Sequence, residues 1–244
     1  MSGTGYDLST AIYSPDGRVF QVEYALKAVD TAETVLGVRC RDGIILACEK
    51  IRQSPLETSR KNSRIHNVET HIGLAICGSR TDGEYVLGQA RQECEGYRRN
   101  FGVPITGAIL AERLANFVHA HTLYMSYRPL GCSVLLASAD TGRLGLFLIE
   151  NSGVVRGYYG CSAGKGKQTA KTGIEKIPAG ATVREALPFV AKAIAAAHEE
   201  FKEKTYELEM STVSDEHNYA HVKVEFAECE RLRRAVEAEL EEAE

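Results

Sequence analysis

Gly160-Cys161-Ser162-Ala163-Gly164-Lys165-Gly166-Lys167 has the composition of a phosphate-binding loop. Such a loop needs four residues between its framing glycines and a Ser or Thr after the lysine to hold magnesium. Here three residues separate Gly160 from Gly164, and Gly166 follows Lys165. The segment therefore reads as a glycine-rich turn from a strand into a helix, and no nucleotide cofactor is implied. His119 and His121 are two apart, so on a helix they point to different faces and share no metal. His217 and His221 are four apart, but no Cys or carboxylate signature accompanies them and the segment reads as loop and strand, so both read as surface histidines. The seven cysteines (40, 48, 77, 94, 132, 161, 229) contain no C-x-x-C pair and sit mostly in apolar runs, where a free thiol is a small buried hydrophobe. That usage fits a reducing compartment and implies no metal.

The remaining motif is conformational. Ser14-Pro15-Asp16-Gly17 has the residue order of a type I turn, with a capping Ser, a proline pre-set at the second position and Gly at the fourth. After it, Val19, Val22, Leu26 and Val29 recur at i, i+3, i+7 and i+10, which predicts one apolar stripe on a short helix, with Arg18, Glu23, Lys27 and Asp30 away from it. A tail bearing Gly3 and Gly5 is thus hinged onto a docked helix.

A 44% hydrophobic content over 244 residues is ample for a sizeable core. The net charge of −4, from 29 basic and 33 acidic residues interspersed along the chain, lacks the one-sided basic excess of a nucleic-acid binder. The N-terminus has neither basic residues nor an apolar core, and no run approaches the roughly 18 apolar residues of a membrane span. The chain reads as cytosolic or nuclear, with neither nucleic acid nor membrane as partner.

With no linker or repeat, one domain is the simpler organisation. Runs at 34–50 and 65–78, broken at Arg41-Asp42-Gly43 and near Glu69-Thr70, predict two hairpins. Two long helices follow, one with the stripe Val86, Ala90, Cys94, Tyr97 and Phe101, the other with Leu110, Leu114, Phe117, Val118, His121 and Met125. Strands resume at 132–139, 144–149 and 154–160, and a helix begins near Gly164. Another begins near Thr182, where Thr182-Val183-Arg184-Glu185 has capping-box spacing. Leu187, Val190, Ile194, Ala197 and Phe201 supply its buried face, and Pro188 should kink its first turns or delay its start. A strand or two between 208 and 225 precede a terminal helix marked by Phe226, Cys229, Leu232, Val236 and Leu240, whose Glu-rich end reads as a solvated face. This order is that of an α+β layered domain.

The opening block, Tyr6-Asp7-Leu8 and then Ser14-Pro15-Asp16-Gly17-Arg18-Val19-Phe20-Gln21-Val22-Glu23-Tyr24-Ala25, resembles the N-terminal signature of proteasome alpha subunits, the ring-forming chains of the 20S core. Thr34-Val35-Leu36-Gly37-Val38, Asp42-Gly43-Ile44-Ile45-Leu46-Ala47, Arg128-Pro129-Leu130-Gly131-Cys132-Ser133 and Gly160-Cys161-Ser162-Ala163-Gly164 resemble the family's successive strand and turn blocks, so the likeness covers nearly the whole chain. Leu8, where most members have arginine, narrows it to one eukaryotic paralogue. The resemblance implies an α+β fold, the four-layer αββα sandwich of N-terminal-nucleophile hydrolases with an added N-terminal helix. It implies a single alpha-type domain over 1–244, with a gate tail and turn at 1–18, a docking helix at 19–31, and a C-terminal helix and acidic tail at 226–244.

It also implies a noncatalytic chain. In the catalytic beta relatives a threonine at the mature N-terminus is the nucleophile, and its own α-amino group, with a pKa of roughly 8, is the base. The matching position, four residues before Gly37, is Glu33, and the nitrogen of Thr34 is a mid-chain amide. Ala32 replaces the glycine at which propeptides are cut. Glu49 matches the supporting carboxylate and reads as a solvated or paired strand-end residue, while the supporting lysine is replaced by Arg64, which is no proton shuttle. In the family an open gate is held by a tail tyrosine, its aspartate, the turn proline and the helix tyrosine of adjacent subunits; by position these resemble Tyr6, Asp7, Pro15 and Tyr24. Tyrosine hydroxyls donate to a carboxylate and Pro15 supplies a rigid wall, the plain alternative being ordinary packing tyrosines. Arg64 also falls where the family pairs a lysine with the tail carboxylate of an activator, the alternative being a surface arginine with no partner. The implied partners are neighbouring alpha subunits, beta subunits, and the regulatory particle or other activators through their C-terminal tails. The rivals are an active beta-type threonine peptidase, disfavoured by the missing terminal threonine, and an alpha chain of a homomeric ring.

Overall fold

In a computed structural model, which describes residues 5–52, 54, 56–58, 62–199 and 205–241, the first predicted helix is α1 (Phe20–Asp30). Two hairpins follow, β1 (Val35–Arg39) with β2 (Gly43–Ile51) and β3 (Ile65–Glu69) with β4 (Ile72–Gly78). Helices α2 (Arg80–Phe101) and α3 (Gly107–Leu123) lead into β5 (Cys132–Asp140), β6 (Arg143–Ile149), β7 (Val155–Gly157) and β8 (Gly160–Ala163). The chain ends with α4 (Lys167–Ile174), α5 (Val183–Glu199), β9 (Tyr206–Ser214), β10 (His221–Lys223) and α6 (Phe226–Glu241).

The strands form two antiparallel sheets, in the orders β10-β9-β2-β1-β8 and β3-β4-β5-β6-β7. Strand β2 shows how they layer, because successive side chains of a strand face opposite ways. Ile45 and Ala47 pack with Val190 and Ile194 of α5, whereas Ile44 and Leu46 pack with Ala75 of β4 and Leu135 of β5 between the sheets. On the far side, Ile72, Leu74 and Leu136 meet Val86 of α2 and Leu110 and Leu114 of α3. Three apolar layers therefore separate four layers of structure, helix, sheet, sheet and helix, which is the αββα sandwich. Gly83 lets α2 sit close on β4: a Cβ there would lie 2.1 Å from Ile76 Cγ2.

Several elements differ from the sequence reading. The run 154–160 is a corner between sheets, since β7 pairs with β6 while β8 crosses to β1. Pro188 lies inside α5 without delaying its start, because the capping box forms: Thr182 N–H donates to Glu185 Oε2 at 2.8 Å and Glu185 N–H to Thr182 Oγ1 at 3.3 Å. Leu26, Phe101 and Met125 are exposed rather than in their stripes. His221 is buried, not a surface residue; its ring lies against Gly73 and beside Asn67. Phe201 and the last three glutamate-rich positions lie outside the described residues, as do positions 1–4 of the tail.

Candidate functional site

The tail, the turn and α1 form the first part of the site. Ser14 makes the predicted turn: its carbonyl accepts from Gly17 N–H and its Oγ from Arg18 N–H, at 2.9 and 3.1 Å, with Gly17 at φ +72°. Before the turn the chain is anchored by the Thr10 hydroxyl, which donates to the Tyr124 carbonyl at 3.2 Å, and by Gln21, whose amide donates to the Asp7 carbonyl. Helix α1 caps one end of the sandwich. Asn151 Nδ2 donates to the Val22 carbonyl at 2.9 Å, Lys167 Nζ pairs with Asp30 at 2.7 Å, and Val29 is buried beside Cys77 of β4. Tyr6 and Tyr24 are each 40% exposed and Pro15 is exposed, while Asp7 is half-buried. Within one chain the structure joins none of these four side chains to another by a hydrogen bond, and Tyr24 stacks on Phe20 instead.

Under α1 lies Glu33, the position that the resemblance matches to the nucleophile of the catalytic relatives. Glu33 Oε2 receives Arg64 Nη2 at 2.5 Å, and Arg64 Nη1 donates to the Gly78 carbonyl at 2.7 Å. The two side chains are 18% and 13% exposed. Arg64 is thus a half-buried, paired residue, positioned at the head of β3 by its own N–H, which donates to Glu209 at 2.8 Å. Burial works against ionisation of Glu209, but donors from Ser63, Lys223 and the Arg64 backbone outweigh it and hold its carboxyl below the usual range.

Thr34 next to it is almost fully buried and hydrogen-bonded through both its N–H and its hydroxyl oxygen. Its N–H donates to Glu49 Oε2 at 3.2 Å, and its Oγ1 accepts from Gly166 N–H at 3.1 Å. Its nitrogen is therefore a donor and cannot take a proton. Glu49 is buried and paired rather than solvated: besides Thr34 it meets His198 Nδ1 at 2.5 Å, where the ring N–H donates to the carboxylate. Cys77 lies beneath, 3.6 Å from the Glu33 carbonyl, its thiol pushed up to about 12 by burial, which makes it no nucleophile at neutral pH. Sequence reasoning brought Glu33, Thr34, Glu49 and Arg64 to one place. It missed His198, although its position four residues after the buried Ile194 was a usable signal, and it missed the anchors Thr10, Gln21 and Asn151, which no pattern marks. Among the described residues no group of three His, Cys, Asp or Glu side chains is arranged to hold a metal ion, and no helix is long and apolar enough to cross a membrane.

A sandwich of this type, with α1 laid across one end, fits the alpha-subunit resemblance of the sequence, and comparison with known proteins agrees. Residues 29–213 match the family model described as proteasome subunit, and residues 6–28 match the N-terminal signature of A-type proteasome subunits. The chain belongs to the proteasome subunit family and is of its alpha type. It is 47% identical to proteasome subunit alpha type-3 of Oryza sativa subsp. japonica over 241 residues, covering 98% of this chain and 97% of the relative. The alpha type-3 subunit of Acanthamoeba castellanii is 45% identical over 243 residues, 99% of this chain and 96% of its own. That of Drosophila melanogaster is 44% identical over 212 residues, 86% and 84%. As a proteasome component the chain takes part in protein degradation by assembling with other proteasome subunits, and the beta-type alternative finds no support.

Proposed function

We propose that this chain is a noncatalytic subunit of the outer alpha ring of the 20S proteasome core, a single functional domain that helps build the ring, gate the entry pore and dock activators. It acts in ubiquitin-dependent and other intracellular protein degradation, in cytoplasm and nucleus, with neighbouring alpha and beta subunits and the regulatory particle as partners. The observation that carries the reading is Glu33 locked to Arg64 at the nucleophile position, with the Thr34 nitrogen donating to Glu49. A peptidase needs a free amine and an open approach there; this chain has an ion pair and a helix. The exposed side chains at the shared end of α2 and α3, Tyr85, Leu123, Tyr124, Met125 and Tyr127, support assembly, since contiguous apolar surface of this kind marks an interface.

In the gate, Tyr6, Asp7, Pro15 and Tyr24 serve as contacts for tails of adjacent subunits, consistent with the exposure of Tyr6, Pro15 and Tyr24. Leu8, 84% exposed, cannot make the charge-assisted contact of an arginine, so this tail closes the pore differently from its neighbours. Arg64 serves activator docking only by exchanging Glu33 for the carboxylate of an incoming tail, a swap between equivalent partners. The test is peptide turnover by assembled, mass-verified particles with and without an activator. Deleting residues 2–11 raises basal turnover because the barrier is steric, and Asp7→Ala weakens activator-driven opening with basal turnover little changed. Wild-type rates from the deletion under both conditions would remove this tail from the gate.

A further inference from the structure

A cleft of about 630 Å³, within the size range of binding sites, lies away from the gate. Helix α4 relates the two places. Its first residue, Lys167, holds α1 through Asp30, whereas the cleft takes its far turn, about 10 Å along the axis. The walls are the end of β1, the corner between β7 and β8, and the loop from α4 to α5. The floor is apolar, formed by Val38, Ile174, Ile177 and Ala181, which belong to or pack on the core beneath α5.

The rim is cationic. Arg39, Arg41 and Lys171 line it and are exposed, and among the described residues none of the three has a carboxylate within ion-pair distance. Glu175 is the only carboxylate among the described lining residues. Arg39 is held in place, its guanidinium 5.4 Å from the ring centre of Tyr159, which is itself 80% exposed. All three face solvent around the apolar floor; the acids near them are Glu175 in the lining and Glu185, whose carboxyl Thr182 and, less strongly, Arg41 hold below the usual range. The positive field comes from side chains rather than from a phosphate-cradling helix terminus, because the first amides of α5 are occupied: Val183 N–H donates to Asp42 at 2.8 Å and Glu185 N–H to Thr182. Side-chain cations spread around an apolar trough fit an extended chain that alternates acidic and apolar residues.

We infer that this cleft docks a short acidic peptide segment of a partner protein, with an apolar side chain on the Ile174–Ile177 floor and carboxylates on Arg39, Arg41 and Lys171. The site is separate from the gate, so an occupant there leaves the tail free.

The test uses the assembled particle and a photo-crosslinkable octapeptide of alternating Glu and Leu, with a Gln-for-Glu version as control. Crosslinks mapped by mass spectrometry fall on residues 38–41 and 174–181. They drop about tenfold in particles carrying Arg39→Glu, Arg41→Glu and Lys171→Glu, since each exposed ion pair contributes a factor of about two and reversal adds repulsion. All three positions are solvent-exposed, and Lys171→Glu alone, on the open face of α4, gives a loss of about threefold with the fold untouched. Raising NaCl from about 50 to about 300 mM weakens crosslinking severalfold. Equal crosslinking of the Gln peptide or of the triple variant overturns the inference, as does absence of crosslinks at these residues. Complete competition by inorganic tripolyphosphate at concentrations where free glutamate has no effect assigns the cations to phosphate and equally overturns it.

Discussion

Arg64→Ala is the perturbation that bears most directly on the site under α1. It strands the Glu33 carboxylate, which is 18% exposed, and removes two charge-assisted hydrogen bonds, 2.5 Å to Glu33 and 2.7 Å to the Gly78 carbonyl. Breaking a buried pair from one side costs about 3–5 kcal/mol, most of it the desolvation of the charge left behind. Both side chains retain some solvent contact, so the lower end applies, about 3 kcal/mol. For a chain of this length each kcal/mol moves Tm by about 2–4 °C, which gives a fall of about 6–12 °C. The double substitution Glu33→Gln with Arg64→Met removes both charges and returns to within about 1 kcal/mol of the parent, because a buried pair contributes little net stability once its desolvation is counted. Urea unfolding followed by far-UV circular dichroism is the assay, since the chain has no tryptophan to report by fluorescence. A value for Arg64→Ala within about 0.5 kcal/mol of the parent, the level of an exposed pair, would refute the reasoning.

Gly83→Ala costs about 1–3 kcal/mol despite the better helix propensity of alanine, because its Cβ would lie 2.1 Å from Ile76 Cγ2; Ile76→Val relieves part of the loss in the same unfolding assay. His221 is buried with its pKa lowered to about 4, so between there and the ordinary value of about 6.5 the unfolded chain binds the extra proton and stability falls as pH falls. His221→Gln flattens that slope, by about 3 kcal/mol in total across the window, read from unfolding midpoints at successive pH values. The Cys77, Cys132 and Cys161 thiols, each pushed up to about 12 mainly by burial, take no iodoacetamide in the folded chain at pH 8 and react fully in denaturant, as counted by mass spectrometry.

Much of this architecture was legible because period and punctuation agreed. Turn residues at Arg41-Asp42-Gly43 stand between strands that pair as a hairpin, and Thr182 with Glu185 marked the start of α5 correctly against the opposing signal of Pro188. A capping box fixes a helix start through two hydrogen bonds, which outweighs a proline's bias. Legibility failed where tertiary contacts decide. Nothing local distinguishes Val155–Gly157 from Gly160–Ala163, yet the corner between them sends one strand to each sheet. His221 reads as polar and exposed until Gly73, by lacking a side chain, makes room for its ring. In the site, Glu33 and Arg64 were found by position alone; that they pair with each other, 31 residues apart in sequence, follows from the packing of the two sheets, which brings the residue before β3 to the residues before β1, and spacing does not reveal it. Leu26 failed as a core residue because its side of α1 faces away from the sandwich, and Met125 because α3 ends at Leu123, before its stripe is complete.

The central claim, that this chain carries no nucleophile of its own, is tested most directly by its intact mass when recovered from assembled particles after treatment with an electrophilic peptide that reacts with N-terminal threonine. The account predicts a chain still bearing residues 6–33, without adduct, while catalytic subunits of the same particle are labelled. A chain that begins at Thr34 and carries the adduct would contradict it.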